Sequence, residues 1–281
     1  MTDDVMQGML FGSLSSPPRD HAGRPAPSGQ LALCALNVNS PSRERAQGIA
    51  DWLIASRGDA LILTEMQPSD GCRLIMGCLE AEGYTVIRSP GWQDSRHCAV
   101  IATAGVEARR VGALTFDPRV IAADLAVGSD PIRLVAIYGP TNGMSSDSSL
   151  RRAAIQRRIL GQLAAVRQPR MVVAGDLNVV EPGHQPHLDA FEDHDYAFYT
   201  GLLALGLADA YRAFCPDGAD HSWISDRFGS QRLDHMLISQ AAGRILSCGY
   251  DHAPRLRRLS DHAALVTTID LNIEPPGGPG R

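Results

Sequence analysis

Residues 171–178 read Met171-Val172-Val173-Ala174-Gly175-Asp176-Leu177-Asn178 and join a run of small or apolar residues to the motif Gly-Asp-Leu-Asn. Uninterrupted apolar character predicts a strand that is buried on both faces and ends at Gly175. Asp176 and Asn178 therefore follow the C-terminal end of a strand, where loops that carry chemistry converge. Because they are two residues apart, both side chains can point to the same side. By itself, the motif is equally typical of an ordinary turn.

Two earlier strands end in the same way. Residues 31–36 form a buried-strand pattern followed by Asn37 and Asn39, and residues 61–64 form another followed by Glu65. Three predicted strands thus deliver a carboxylate or an amide at their C-terminal ends.

The rest of the chain alternates helical and strand patterns without an internal repeat. Ser40 and Pro41 predict a helix N-cap and the first helical residue. An amphipathic stripe predicts a helix over residues 155–166. Further helices are predicted at 73–82 and 198–205, and strands at 85–88, 98–103, 120–126, 133–138, 233–239, 244–250 and 263–271.

The composition is typical of a soluble globular enzyme. The 281 residues are 44% hydrophobic and 20% charged, with a formal net charge of −5. No apolar run reaches the length of a membrane span, and the acidic N-terminus does not resemble a secretory signal. We therefore expect a cytoplasmic monomer without a membrane partner. We expect a disordered tail at 1–29, one catalytic domain at 30–272 and a second tail at 273–281.

Cysteine and lysine usage exclude several kinds of chemistry. The six cysteines show no Cys-x-x-Cys spacing and most lie in apolar runs, which indicates reduced thiols rather than structural zinc or disulfides. The sequence contains no lysine, so all 26 basic residues are arginines. Mechanisms that need a Schiff-base or general-base lysine are therefore excluded. The negative charge argues against a globally basic nucleic-acid binder, although a local basic rim remains compatible with it.

Further polar motifs follow in the second half of the chain. Tyr138 ends a predicted strand, Asp234 lies in Arg-Leu-Asp-His, and Asp261 and His262 lie in Leu-Ser-Asp-His. Together with Asn37, Glu65, Asp176 and Asn178, this ordered set resembles the endonuclease/exonuclease/phosphatase superfamily, specifically its exonuclease III and AP-endonuclease branch, over about residues 31–271. The resemblance implies an α/β (α+β) fold, a four-layer sandwich of two mainly antiparallel β-sheets flanked by helices.

The resemblance also implies a role for each of these residues. Glu65, Asn37 and Asp261 match groups at the metal, and their hard oxygen donors suit Mg²⁺ or Mn²⁺. Asp176 matches the aspartate that aligns or deprotonates the attacking water, and Asn178 matches its partner amide. His262 matches the histidine that contacts the phosphate, Asp234 the carboxylate that orients it, and Tyr138 a hydroxyl on the phosphate side.

Candidate substrate-binding residues surround this set. Arg255, Arg257 and Arg258 precede Ser-Asp-His and could neutralise flanking phosphates. Trp223 could stack on a sugar or base, or be plain core. Asn39 and Asn142 are further candidates, and Asn142 is offset by one residue from the branch pattern.

Two departures from the branch pattern concern the substrate side. After Glu65 the chain reads Met-Gln where the branch has Thr-Lys, so a cation is missing there. Residues 179–199 do not resemble exonuclease III and carry His184, His187 and His194, which indicate either an accessory metal site or, preferably, a surface loop with scattered histidines.

Three functions are compatible with the motifs. The first is a metal-dependent nuclease that acts on DNA by AP-site incision or 3′ trimming, which the arginine cluster favours. The second is a phosphoesterase of the same fold for a small phosphorylated metabolite or lipid headgroup, which the negative charge and the missing lysines favour. A catalytically dead binding module is disfavoured because no expected ligand position is lost.

A short apolar island interrupts the N-terminal tail. From Gln7 to Phe11 the chain reads Gln-Gly-Met-Leu-Phe, which resembles the peptide by which bacterial DNA enzymes dock on the replication sliding clamp. Such a peptide orders on contact and buries its Leu-Phe pair in an apolar pocket. The alternatives are incidental hydrophobicity or a tail that packs on its own domain.

Overall fold

The computed structural model describes residues 29–114, 117–141 and 145–272. The segment from Gln7 to Phe11, Asn142 and the C-terminal tail lie outside the described residues, so the predictions made for them stay predictions. Within these three ranges, no helix combines the length and apolar character needed to cross a membrane.

The described chain alternates strands and helices. The strands are β1 (Gln30–Asn37), β2 (Ala60–Met66), β3 (Thr85–Arg88), β4 (Cys98–Thr103), β5 (Ala108–Arg110), β6 (Val120–Leu125), β7 (Ile132–Ile137), β8 (Met171–Asp176), β9 (Leu207–Asp209), β10 (Trp223–Ser225), β11 (Gly229–Gln231), β12 (Asp234–Ser239), β13 (Arg244–Asp251) and β14 (Ala264–Asp270). The α-helices are α1 (Arg43–Ser56), α2 (Asp70–Ala81), α3 (Ser146–Ala165), α4 (Asp193–Ala204), α5 (Ala210–Phe214) and α6 (Ala253–Leu256). Two 3₁₀ turns cover Trp92–Asp94 and Gln240–Ala242.

The strands form two six-stranded sheets and one hairpin. The first sheet has the order β13-β14-β1-β2-β4-β3, the second has the order β5-β6-β7-β8-β12-β9, and β10 pairs with β11. Only β1 with β2 and β7 with β8 pair in parallel among the described strands. Both sheets are therefore mainly antiparallel, as predicted.

Alternation along the strands divides the buried residues among three apolar clusters. Because successive side chains point to opposite faces, Ile62 of β2 and Val172 of β8 both lie in the central cluster between the sheets. Leu63, one residue later, packs in the cluster that includes α1 and α2, and Val173 packs in the cluster that includes α3 and α4. Each sheet thus has helices outside and its partner inside, which confirms the predicted four-layer α/β sandwich.

Helix starts differ from their predicted positions. The N-cap of α1 is Ser42, whose hydroxyl accepts from the Arg45 backbone NH, so the prediction of Ser40 as the cap was wrong. Ser40 instead adopts a positive φ of 38° and donates its hydroxyl to the Glu65 carbonyl. The helices α2 and α4 begin earlier than predicted, because Ser69 caps α2 and Glu192 forms a capping box on α4.

The order of the strands brings the polar residues to one edge of the sandwich. Because β1 and β2 are parallel neighbours, Asn37 and Glu65 lie at the same end of the first sheet. In the second sheet, Asp176 of β8 lies directly opposite Asp234 of β12 in the antiparallel register. An isolated bridge between Trp223 and His262 closes the same edge.

Uncommon backbone conformations gather at this edge. Glu65 and Asn178 each have a φ of 53°, and Asn39 has a φ of 51°. Gly175 has a φ of 132°, and a Cβ there would lie 2.3 Å from the Ile137 carbonyl oxygen, so only glycine fits between β7 and β8. Non-glycine residues with positive φ persist where surrounding contacts hold them, and they concentrate at functional sites.

Candidate active site

Asp176 is the centre of a buried hydrogen-bond network. The Nδ2 atoms of Asn37 and Asn178 donate to its Oδ2 over 2.8 and 3.1 Å, and the Asn178 backbone NH donates to its Oδ1 over 3.0 Å. The Asp176 residue is only 1% exposed. The ends of β1 and β8, which are far apart in sequence, thus together orient one carboxylate.

His262 and Asp234 form a second buried pair beside the first. The Nδ1 atom of His262 lies 2.7 Å from Oδ2 of Asp234, and Asp234 is fully buried. On the other side of the ring, His262 Nε2 lies 3.5 Å from Asn37 Nδ2. Ser260 fixes the turn that carries the histidine, because its hydroxyl donates to the Asn37 carbonyl and accepts from the His262 backbone NH.

Burial and neighbouring charges shift the protonation of both pairs. Burial and the negative charge of Asp234 raise the pKa of Asp176 to about 8, against the opposing effects of His262 and Asn37. Burial alone would lower the pKa of His262, but the charge and hydrogen bond of Asp234 raise it to about 10. His262 is therefore a cationic donor at neutral pH, and Asp176 can exchange a proton near neutral pH.

Glu65 lies on the first sheet and faces the second. The Tyr138 hydroxyl, from the end of β7, donates to Glu65 Oε1 over 2.8 Å. Burial and the charge of Glu65 raise the pKa of Tyr138, so this phenol remains a proton donor. The contact links the two sheets across the site.

Asp261 lies at the exposed rim of the site. Asn39 Nδ2 donates to its Oδ1 over 2.7 Å, and Trp223 Nε1 donates to its Oδ2 over 3.1 Å. Trp223 is partly exposed, so it belongs to the rim of the site rather than to the core.

A single cavity of about 490 Å³ connects these groups. The predicted residues that line it are Glu65, Asp176, Asn178, Trp223, Asp261 and His262. Asn37, Tyr138 and Asp234 contact lining residues from behind. Arg255, Arg257 and Arg258 do not line the cavity; they lie in α6 and the turn that leads from it to Asp261.

The oxygen donors at the cavity fit a magnesium or manganese ion. No three His, Cys, Asp or Glu side chains within the described ranges come together as a complete metal cage. Mg²⁺ does not require one, because it commonly keeps several waters and takes one or two carboxylates together with substrate phosphates. Glu65 and Asp261 line the same cavity as two such carboxylates, and the Asn37 amide contacts Asp176 of the same lining.

Several cavity residues were missed by the sequence analysis. Arg152 of α3, Phe191 of the segment 179–192, and Arg227 and Phe228 of the β10–β11 hairpin all line the cavity. The rings of Trp223 and Phe228 stack with centroids 6.3 Å apart. The short pattern Trp-Ile-Ser-Asp-Arg-Phe-Gly, with apolar residues around a turn, was the available signal for this hairpin.

Arg119 and His97 adjoin Tyr138. The Arg119 guanidinium carbon lies 5.7 Å from the centroid of the Tyr138 ring, and the His97 ring centroid lies 6.0 Å from it. Burial and the charge of Arg119 lower the pKa of His97. Arg119 therefore supplies positive charge beside Tyr138, whereas His97 is neutral at pH 7.

The three histidines of the dissimilar segment do not meet. His184 is buried, and its Nε2 accepts from the Arg232 backbone NH over 3.2 Å, so it is structural rather than part of an exposed loop. His194 contacts Ser149 and Gln156 on α3. His187 is exposed beside Asp189 at the cavity. Their separate contacts give no support to an accessory metal site.

Solved structures of similar fold include DNA enzymes. An AP endonuclease from Archaeoglobus fulgidus is 23% identical, with a TM-score of 0.73, covering 85% of this chain and 99% of that one. The 3′ phosphatase NExo from Neisseria, bound to a product DNA hairpin, is 22% identical with a TM-score of 0.70, covering 85% and 99%. The 3′-5′ exonuclease NExo from Neisseria meningitidis is 23% identical with a TM-score of 0.68, covering 85% and 100%. These likenesses show a shared fold.

No curated protein matches the chain significantly. The sequence pattern of the Endonuclease/Exonuclease/phosphatase family matches residues 34–262, which is most of the chain. With the similar solved structures, this match confirms the resemblance inferred from the motifs. The chain therefore belongs to the endonuclease/exonuclease/phosphatase family and is a phosphoric-ester hydrolase.

Proposed function

We propose that this chain is a divalent-metal-dependent nuclease that hydrolyses DNA phosphodiester bonds, by AP-site incision or 3′ trimming, through in-line attack of water. The observation that carries the proposal is one cavity that brings together Glu65, Asp176 and His262. A phosphodiester is already negative, so its hydrolysis needs a cation, donors to the phosphoryl oxygens and an aligned water. The cavity offers a group for each need.

Glu65, Asp261 and Asn37 would hold the Mg²⁺ or Mn²⁺ ion. Bound there, the ion supplies Lewis-acid polarisation of the phosphoryl group and neutralises developing charge. Tyr138 holds the Glu65 carboxylate through its hydroxyl, and Asn39 and Trp223 hold the Asp261 carboxylate.

Asp176 would orient and deprotonate the attacking water. Its Oδ2 is held by two amides, so the carboxylate is fixed before substrate arrives. A base with a pKa near 8 is close to working pH, which suits general-base catalysis. A cation bound at Glu65 and Asp261 would favour its ionised form and so offset the raised pKa.

His262 would donate to a phosphoryl oxygen. Its Nδ1 is engaged by Asp234, so Nε2, on the opposite side of the ring, is the donor toward the substrate. Asp234 keeps the ring cationic and fixes its orientation.

Features of the rim favour DNA over a small metabolite. Trp223 and Phe228 form an aromatic wall, and Arg227 lies over the Phe228 ring at 4.9 Å. Phe228 is 42% exposed, so it is available to stack on a base or sugar. Arg257 and Arg258 are exposed on the turn that leads to Asp261. The NExo 3′ phosphatase, which has a similar fold, was solved bound to a product DNA hairpin.

A phosphoesterase for a small phosphorylated metabolite is the second candidate. The net charge of −5 favours it, and a cavity of about 490 Å³ is large enough to enclose such a ligand.

The deciding experiment measures turnover of four substrates: a duplex with an abasic site, a plain duplex, a single strand and bis(4-nitrophenyl) phosphate. Each is assayed with Mg²⁺, with Mn²⁺ and with EDTA. Metal-dependent cleavage of DNA at rates well above the small diester supports the nuclease. Turnover of the small diester alone would favour a phosphoesterase for a small metabolite. Full activity in EDTA would overturn the proposed metal dependence.

A further inference from the structure

Arg152 of α3 is a buried cation next to the turn of Asp176 and Asn178, called here the catalytic turn. The residue is only 2% exposed. Its Nη2 donates to the Asn178 carbonyl over 2.8 Å and also lies 2.8 Å from Asp195 Oδ1. Asn178 immediately precedes the segment 179–192, and Asp195 lies in the first turn of α4 that follows it. One nitrogen atom therefore joins both ends of this segment.

The Asp195 end of this connection is fixed by several contacts. Gln156 Nε2, one turn along α3 from Arg152, donates to Asp195 Oδ1 over 2.8 Å. The Glu192 backbone NH donates to Asp195 Oδ2 over 3.0 Å as part of the capping box of α4. Asp195 is fully buried. The guanidinium is thus held by a carboxylate that cannot move without disturbing two helices.

The Asn178 end of the connection lies in the proposed active site, next to Asp176. Asn178 has a φ of 53°, and its side chain and backbone NH both donate to Asp176. Asparagine adopts this left-handed conformation more readily than most residues, and contacts to its peptide groups hold it there. The bond from Arg152 to the Asn178 carbonyl is such a contact. It fixes the turn that orients the Asp176 carboxylate.

The segment between the two ends forms one wall of the cavity. His187, Leu188, Asp189 and Phe191 of this segment line the cavity with Asp176 and His262. The Arg152 guanidinium carbon lies 5.5 Å from the centroid of the Phe191 ring. The wall and the catalytic turn therefore share one anchor.

Stability alone does not account for a buried arginine at this position. Within the described part of the chain, its Nε and Nη1 are buried without a hydrogen-bond partner. Buried ion pairs are often no more stabilising than apolar residues of similar volume, and two unpaired N–H groups add a desolvation cost. Because Arg152 contacts both the Asn178 carbonyl and the Asp195 carboxylate, a role in positioning these two groups explains an arginine here better than stability does.

We infer that Arg152 is a positioning residue, which sets the catalytic turn of Asp176 and Asn178 relative to the cavity wall at 187–191. The inference rests on the proposed function, because it assigns Arg152 to the same site. Nothing in the sequence motifs pointed to this residue, since its partners lie 26 and 43 positions away.

The test compares Arg152→Ala and Arg152→Lys with Arg151→Ala, an exposed neighbour on the same helix. The kcat and KM are measured with Mg²⁺ on the abasic-site duplex. We expect Arg152→Ala to lower kcat by about 100-fold, because it displaces the catalytic group. The melting temperature should also fall, because Asp195 stays buried without its ion-pair partner. Guanidinium ion at millimolar concentration should restore part of the lost kcat. Lysine ends about one bond short of Nη2, so Arg152→Lys should fall between the alanine variant and wild type.

Several outcomes would overturn the inference. The first is a folded Arg152→Ala enzyme with kcat within threefold of wild type. The second is a loss of kcat in Arg152→Ala that guanidinium ion does not restore. The third is an equal loss of kcat in Arg151→Ala. If Arg152→Ala does not fold, the same criterion applies to kcat of Arg152→Lys.

Failure of the proposed function would be visible separately, as a wild-type enzyme that cleaves no phosphodiester. The side-chain amide resonance of Asn178, measured by NMR in wild type and Arg152→Lys, then decides the inference. A shift of that resonance supports it, and an unchanged resonance overturns it.

Discussion

His262 Nδ1 and Asp234 Oδ2 lie 2.7 Å apart in a buried pair. If the only role of Asp234 is to hold and charge the ring, Asp234→Asn should reduce kcat as much as His262→Ala does, by about 100- to 1000-fold. The double variant should then be no worse than either single variant. Steady-state kinetics of the three variants measure this coupling, and a double variant with multiplied losses would separate the two residues.

Glu65→Gln and Asp176→Asn should each lower kcat by orders of magnitude while the fold stays intact. Both carboxylates act on charge that develops in the transition state, and their amide isosteres keep the volume but not the charge. Single-turnover rates and circular dichroism measure the two effects. Glu107→Gln, an exposed carboxylate before β5, is the control. Near wild-type turnover with Mg²⁺ in either site variant would refute the assignment.

The buried cluster of Arg232, Glu181 and Asp209 should govern stability in acid. Arg232 Nε donates to Glu181 Oε2 over 2.9 Å, and its Nη1 donates to Asp209 Oδ2 over 2.9 Å. Burial alone would raise the pKa of Glu181, but the charge of Arg232 lowers it from 4.5 to about 2. Because the folded pKa is depressed, this stabilisation is present above pH 4.5 and is lost as the pH falls toward 2.

Urea unfolding between pH 7 and pH 2 tests the cluster. Glu181→Gln should lower the free energy of unfolding at pH 7 by about 3–5 kcal/mol, because it leaves Arg232 buried and short of a partner. Its stability should also depend less on pH in the acid range. The matched control is Glu80→Gln on the exposed face of α2, and an equal loss in both variants would contradict the role of the cluster.

Arg257 and Arg258 should contribute to nucleic-acid affinity through phosphates. Replacing both by glutamine should weaken duplex binding and flatten its log-log salt dependence by about one unit for each lost contact. Fluorescence anisotropy at several salt concentrations measures the slope. Exposed Arg109 and Arg110 on β5 provide the control pair. An unchanged slope would show that the two arginines contact no phosphate and would favour a phosphoesterase for a small metabolite.

The segment from Gln7 to Phe11 should bind a bacterial sliding clamp. A peptide of residues 1–16 is expected to bind at micromolar level, which corresponds to about −8 kcal/mol. Replacing Leu10 and Phe11 by alanine should abolish binding, because these side chains would fill the apolar pocket. Isothermal titration calorimetry decides the matter. Absence of wild-type binding at high micromolar concentration would remove the clamp as a partner.

Local sequence patterns were sufficient to predict most of the helices and strands of the layered fold. The strands β3 and β4 have the predicted bounds, and polar residues follow buried strands as predicted, because apolar runs and their ends are encoded over a few residues. The domain limits at 30–272 stay a prediction. Three-residue strands such as β9, β10 and β11 were missed, because so short a segment carries no periodic signal.

The sequence by itself determined which residue types stand at the strand ends, and through their order it determined the family. Only the tertiary structure decided which of them touch. Asp234 pairs with His262 because β12 of the second sheet contacts β14 of the first, and His262 lies just before β14. Arg152 reaches Asn178 because α3 packs on α4. Propensity acts over neighbouring residues, whereas burial and charge pairing depend on groups brought together from distant parts of the chain.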